Sequence, residues 1–537
     1  MSSPATPSAW APFWPLSVRK IANPGLLEGY NRSTGPQNGK FVLALLFLAC
    51  SNVPIQSAST EAAPPTTTLA VTTTTARVCR SEPRETIFTG TDPVKLSIAL
   101  TTATLNCADE VVVASGEPFE LIVAARLAAA RKAPLLVTDE TDNALESELR
   151  RLAPEAVTVV GDLLPSGVPA GTATTSLSIS EARASAGTSP PRETSDSAPL
   201  WLADSTRRDL AAPVIAIAAQ RDEEVMFADP AELRTDPDLL DAVRASSPER
   251  LFVAGGFDPS TVEWEANALA TAPELPGGGL TLFPGRRLVA LYGNPTTSAL
   301  GVLGEQGPED AVPRAQEISA GYEADGTPIT LAFEIIATVA SAGATADGNY
   351  SEEMSLEVLQ PWVDVAAAND LYVILDLQPG RTDFLTQAKM YEEFLRLPHV
   401  GLALDPEWRL LPDQVHLRQI GSVDAAEVNQ VGEWLAAVVR ENNLPQKFFL
   451  LHQFRLDMIP NRELVEVRPE LATVIQMDGQ GPLSTKYDTW NALTTGTEGN
   501  GIYWGWKNFY DEDVPRGGAT PAEVLTLDPV PVYISYQ

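Results

Sequence analysis

The sequence predicts an α/β protein in which a duplicated parallel-sheet domain precedes a C-terminal (β/α)8 TIM barrel. Three observations carry this expectation. Short apolar runs alternate with Ala/Leu/Arg-rich helical stretches from Glu110 onward, and that pattern recurs about 90 residues later. From Arg287 eight further apolar runs follow at barrel spacing. At 537 residues the chain exceeds what one hydrophobic core usually organises, so two folded domains and a tail are expected.

The tail comes first. Lys40 precedes the apolar run Phe41 to Ala49, which meets Cys50 and is too short to span a bilayer as a mature helix. It reads as the apolar region of a signal peptide, so residues 1–50 are expected to be a leader. Leu46-Phe47-Leu48-Ala49-Cys50 resembles a bacterial lipobox. That resemblance implies lipidation of Cys50 and a membrane anchor outside the cytoplasm; an ordinary signal peptide or an uncleaved anchor are the alternatives. Residues 51–78, with Thr66 to Thr68 and Thr72 to Thr75, offer almost nothing to bury and read as a disordered Thr/Ser/Pro/Ala stalk. Beyond it, residues 79–284 are expected to hold the duplicated domain and residues 285–537 the barrel.

Charge narrows the partners. With 70 acidic against 37 basic side chains the formal charge is −33, which argues against nucleic acid or an anionic membrane surface. Cleavage before Cys50 removes four basic residues and one acidic one, taking the charge to −36. Only three cysteines and three histidines occur, without ligand spacing, so neither a structural zinc site nor a cofactor is expected. In an oxidising compartment Cys79 and Cys107 are candidates for a disulfide, two separately buried thiols being the alternative.

In the first half, Val111 to Ala114, Pro134 to Thr138 and Ala156 to Val160 read as strands, with helices over Glu120 to Arg131 and Asn143 to Leu152. The second copy runs through Leu200 to Ala203, a helix reaching Ala219, Glu224 to Asp229, a helix from Pro237 to Ala245, and Arg250 to Gly256. Pro276-Gly277-Gly278-Gly279 reads as a linker to the barrel. Several segments resemble the cell wall-binding repeat 2 family of Gram-positive surface proteins. They are Ala114-Ser115-Gly116-Glu117-Pro118-Phe119, the run Ala124 to Leu136, Val159-Val160-Gly161 and Val253-Ala254-Gly255-Gly256. The resemblance implies non-covalent attachment to an anionic wall polymer; a divergent copy serving as a spacer is the other reading.

The eight barrel runs are Leu288 to Tyr292, Ile329 to Glu334, Tyr372 to Asp376, Val400 to Asp405, Phe448 to His452, Thr473 to Asp478, Ile502 to Trp504 and Val532 to Ser535. Glu334 is also compatible with a strand continuing through Ile335-Ile336. Helices are expected over Leu356 to Ala368, Phe384 to Arg396, Ala425 to Asn442 and a short stretch before the last strand.

Polar residues at the ends of these runs would gather at the C-terminal mouth, where barrels place their chemistry. They are Tyr292, Glu334, Asp376 with Gln378, Asp405 with Glu407, His452 with Gln453, Asp478, and Trp504 with Trp506 and Lys507. Taken singly, each is also compatible with a helix N-cap, a loop ion pair or a polar residue capping an interior layer.

Leu402-Ala403-Leu404-Asp405-Pro406-Glu407-Trp408 is the strongest local signal. Strand alternation sends Asp405 and Glu407 to one side, about 6 to 7 Å apart. Mutual repulsion would then raise one carboxyl's pKa enough to protonate a leaving group. The pattern resembles strand endings of chitinase-type and muramidase-type barrels. Trp408, Tyr503, Trp504 and Trp506 are candidates to stack on sugar faces, core packing being the other use.

The leading expectation is a surface-tethered glycoside hydrolase of an extracellular or wall glycan, peptidoglycan included. Glu407 would be the general acid, Asp405 its partner, and Asp376, Glu334 or Asp478 the base, nucleophile or charge stabiliser. The alternative is a non-catalytic wall-polysaccharide-binding barrel using the same mouth. A divalent cation held by Asp376, Asp405, Glu407 and Asp478 is a lesser reading. His399 and His416 are placed on loops or at the surface.

Overall fold

In chain order the strands of the first half are β1 (Ile87–Thr89), β2 (Glu110–Ser115), β3 (Leu135–Thr138), β4 (Ala156–Val160), β5 (Ala173–Leu177), β6 (Leu200–Asp204), β7 (Glu224–Ala228) and β8 (Leu251–Gly255). The computed structural model describes residues 77–139, 143–163, 168–186, 198–497 and 499–537, so the leader, Cys50 and the stalk through residue 76 lie outside it. The strands form two separate four-stranded parallel sheets, ordered β3-β2-β4-β5 and β7-β6-β8-β1. Val111 to Ala114 on β2 and Trp201 to Ala203 on β6 are wholly buried, as strands covered on both faces by helices should be.

The order of the second sheet holds a feature that the repeat pattern does not reveal. Its fourth strand is β1, which precedes both copies and pairs with β8 in parallel, Ile87 opposite Val253. Three residues are too few to register as an apolar run. What holds β1 is tertiary: Trp201 stacks between Phe88 and Phe252, with ring centroids 5.9 and 4.5 Å away. Helix Pro93–Thr104 follows, started by Asp92, whose carboxylate accepts from Val94 N and Lys95 N.

Cys79 and Cys107 are joined by a disulfide that brackets this strand and helix, their Cα atoms 4.6 Å apart. Asp222 of the second copy receives both Arg80 (2.8 Å) and Lys132 (2.6 Å), so the N-terminal segment, the first copy and the second meet at one carboxylate. The closed loop spans 28 residues. Replacing both cysteines with serine should therefore lower unfolding stability by about 3 to 4 kcal/mol. Urea unfolding under non-reducing conditions checks this; an unchanged midpoint would show that the bridge constrains nothing.

The second half begins with β9 (Arg287–Gly293) and β10 (Ile329–Ala340), and β11 (Ser351–Glu353) folds back antiparallel on β10. There follow β12 (Tyr372–Leu377), β13 (Val400–Leu404), β14 (Lys447–His452), β15 (Leu471–Met477), β16 (Tyr503–Asn508) and β17 (Tyr533–Tyr536). Apart from β11 these strands form a closed eight-stranded parallel barrel, β9 pairing with both β10 and β17.

Two local expectations are corrected. The stretch Phe384 to Arg396 forms two helices, Phe384–Met390 and Glu392–Leu395, broken at Tyr391, whose hydroxyl donates to Ala337 O at 2.8 Å. The Pro276–Gly279 stretch is an ordered turn rather than a free linker. Its three glycines adopt positive φ (77°, 87° and 75°), which only glycine takes readily, and Arg286 donates to Pro276 O and Gly278 O. Just beyond, Leu282 and Phe283 pack with Leu275 against the barrel's lower interior. Among the described residues no helix is long and apolar enough to cross a membrane.

Candidate functional site

The barrel strands point alternate residues inward. The lower interior is apolar: Leu288 and Ala290, Ala332, Tyr372 and Ile374, Ala403, Phe448 and Leu450, Ala472 and Val474, and Tyr533. Continuing each series toward the C-terminal end reaches one polar residue on every strand or just past it: Tyr292, Glu334, Asp376, Asp405, His452, Gln476, Lys507 and Ser535. A barrel capped by eight convergent polar side chains is the structural basis of the site.

His452 is its centre and is fully buried. Its Nδ1 lies 2.9 Å from Asp478 Oδ2 and its Nε2 lies 2.9 Å from Glu334 Oε1, with Asp376 Oδ1 3.7 Å away. Tyr533 donates to the other oxygen of Glu334 at 2.6 Å, and Tyr292 donates to Asp376 Oδ2 at 2.9 Å. Burial alone would discharge the imidazole, but the charges of Asp376 and Glu334 and the bonds to Asp478 and Glu334 raise its pKa well above the ordinary value. Burial likewise opposes ionisation of Glu334, yet the attraction and hydrogen bond of His452 bring that carboxyl below its usual value. The two form a buried ion pair.

The remaining acids shift the other way. Burial, with the charge of Glu334 adding, moves Asp376 up to about 6 against the pull of His452. Asp405 is raised well above the carboxylate range, first by burial, with Glu407, Asp376 and Asp478 adding against His452. Glu407 rises to about 7, again first through burial and next through Asp478. One oxygen each of Asp376, Asp405 and Asp478 is buried without a hydrogen-bond partner among the described residues.

Above this layer opens a cavity of about 680 Å³, whose wall includes Tyr292, Gln378, Asp405, Glu407, Trp408, Asp478 and Lys507. Asp405 and Glu407 reach it by a route different from the expected one. β13 ends at Leu404, and Glu407 sits in a 3-10 turn, Pro406–Trp408, that begins at Asp405, so strand alternation does not relate the two acids. The later part of the same loop folds back on this turn: Gly421 N donates to Glu407 O at 2.7 Å. A side chain at Gly421 would meet three carbonyl oxygens, those of Pro406, Glu407 and Arg409, at 2.5 to 2.6 Å. Leu417 and Ile420 of that loop form an apolar lip.

Several expected site residues lie elsewhere. Trp504 and Trp506 alternate outward from β16 and pack on Trp490 of helix Leu483–Thr494, Trp506 also stacking on Tyr487, because inward parity falls on Gly505 and Lys507. Tyr503 points inward but at the opposite end, 5.1 Å from Phe283. Gln453 is buried outside the cavity wall, receiving Arg462 and donating to Arg455 O. Glu334 and Asp376 lie beneath the cavity rather than on its wall. Gln378 is partly committed, its side-chain oxygen accepting from Ala340 N. His399 and His416 do lie in loops, but buried.

Gln476 and Ser535 belong to the polar layer, and Tyr533 reaches it from the layer beneath through its hydroxyl; none of the three is singled out from sequence. Gln476 donates to Ser535 Oγ at 2.8 Å. The signal was available for Gln476, which shares the strand parity of Asp478. Among the described residues no group of three or more His, Cys, Asp or Glu side chains is arranged to hold a metal ion.

Fold and site together define an α/β protein whose parallel (β/α)8 barrel carries a buried carboxylate–imidazole cluster beneath an open, acid-lined mouth. No family model matches the chain, and no curated protein matches it. Among solved structures it is similar to Cwp6 from Clostridium difficile, at 12% identity and a TM-score of 0.29, over 54% of this chain and 62% of that one.

Proposed function

We propose that the protein is a glycoside hydrolase held at a bacterial cell surface and acting on an extracellular or wall glycan. The observation that carries this reading is the pairing, in one cavity, of Glu407 with Asp478. Glu407 retains its proton up to about pH 7, and Asp478 is anchored by one oxygen on His452 while its other oxygen is unpartnered. Glu407 donates its proton to the departing glycosidic oxygen. The Asp478 carboxylate either attacks the anomeric carbon or takes a proton from the attacking water, as positive charge develops on the sugar ring. Burial, with the charges of Asp478 and Asp376 adding, keeps that proton in place, and Trp408 offers an aromatic face to a sugar. Release of reducing ends from peptidoglycan or purified wall polysaccharide tests the proposal.

A second reading, a non-catalytic polysaccharide-binding barrel, is favoured by Trp408 and the apolar lip at Leu417 and Ile420, which suit binding without cleavage. A protein that retains these polymers on a pull-down yet releases no reducing ends would decide for it.

The surface location is part of the proposal. It rests on the lipobox-like Cys50 and on the segments resembling cell wall-binding repeats. Cys50→Ser should move the protein from the membrane fraction to the medium; unchanged retention, with no lipid label on the parent, would remove the anchor from the proposal.

A further inference from the structure

We propose that Lys507 reads a carboxylate on the sugar bound in the mouth, so that the glycan is an acidic one carrying a single negative charge beside the bond that is cut. This deepens the hydrolase reading and rests on it for the position of the cut. Lys507 points inward from β16, is only 3% exposed, lies on the cavity wall, and holds its Nζ 3.2 Å from the centroid of the Tyr292 ring. An ammonium group has three N–H donors, yet none makes a hydrogen bond or ion pair of normal length with a described residue. A buried cation in that state costs free energy that an acceptor entering the cavity offsets.

The neighbouring cation is already committed: Lys486 pairs with Asp513 and donates to Lys507 O at 2.7 Å. One uncommitted positive charge matches one carboxylate. A polyphosphate chain is disfavoured, because one cation cannot balance its several charges and the protein as a whole carries −33. An amino sugar would set its ammonium against that of Lys507. Of the acids on that wall, Glu407 is pushed by burial up to about 7, so it keeps its proton beside Lys507 in mildly acidic solution.

The test is calorimetric binding to the full chain carrying Glu407→Gln, which stops turnover, at mildly acidic pH. The probes are a trisaccharide with a central glucuronic acid, its carboxyl-reduced counterpart with glucose there, and a muramic-acid-containing disaccharide beside its analogue lacking the lactyl group. At least one acidic probe should bind about tenfold more tightly than its neutral partner, a modest gain for a charge-assisted hydrogen bond. Whichever probe shows the preference identifies the source of the carboxylate. Adding Lys507→Met should remove the preference while leaving neutral binding in place, and Lys507→Arg should keep it. Equal binding of acidic and neutral probes, binding of none, or a preference that survives Lys507→Met overturns the assignment. A clear preference in a parent that never cleaves would sink the hydrolase reading alone; cleavage of neutral glycans without any preference would sink the carboxylate reading alone.

Discussion

Replacing Glu407 with glutamine should lower glycan cleavage by about 100- to 10,000-fold, the usual contribution of one positioned general acid. The amide keeps the side chain's size but has no proton to transfer. In the parent, activity should fall as pH rises through about 7, where Glu407 loses its proton, and the residual activity of the variant should lack that limb. The same substitution should stabilise the fold in mild base. Burial raises the Glu407 pKa from 4.5 to about 7, so its favourable contribution is present below pH 4.5 and is lost as pH rises through 7. Above that the ionised group costs on the order of 3 kcal/mol, which glutamine does not. Reducing-end assays and urea unfolding at pH 8 check the two halves separately. A variant that cleaves at the parental rate refutes the acid role, and one no more stable than the parent at pH 8 refutes the buried-carboxyl account.

His452→Ala should be among the most destabilising single changes in the barrel, by about 3 to 5 kcal/mol, the range for removing one partner of a buried ion pair. It leaves Glu334, Asp376 and Asp478 facing one another in the barrel interior without their shared cation. The His452 pKa is raised, so its contribution is complete below its unfolded value near 6.5 and is lost only as pH rises through the folded value. That of Glu334 is lowered, so its contribution is complete above the unfolded value near 4.5 and is lost as pH falls. The parent should therefore be most stable in mild acid, and the variant should lose most there. Glu334→Gln added to His452→Ala should recover part of the loss, because it removes one of the stranded charges. Strictly additive effects, or a single-variant loss under about 1 kcal/mol, would mean that the cluster is not an electrostatic unit.

The barrel was legible because apolar runs such as Val400 to Asp405 and Thr473 to Asp478 need only local bookkeeping, and most of their residues recur in the observed strands Val400–Leu404 and Leu471–Met477. The polar mouth was legible for the same reason: a polar residue ending an apolar run stands out, as Asp376, His452 and Asp478 do. Two kinds of information were not readable. Inward or outward orientation needs the strand's register, and this separates Lys507, which faces the cavity, from Trp504 and Trp506, which face helix Leu483–Thr494. Turn geometry needs the chain that packs on it. Glu407 owes its position to a 3-10 turn braced by Gly421, fourteen residues on, not to the strand alternation that first pointed to it.

By itself the sequence determined the alternation of strands and helices, the division into a repeated half and a barrel half, and the residue types available at the strand ends. Local propensity and the period of apolar residues operate within a few positions, so one chain suffices to read them. Only the tertiary structure decided that β1, from ahead of both copies, completes the second sheet. It also decided that Glu334 and Asp478 clasp the two nitrogens of His452, and that Glu407 and Asp478 share one cavity. Those facts join residues from 26 to 166 positions apart in sequence. Their electrostatic consequences depend on distance and burial, which no local pattern encodes.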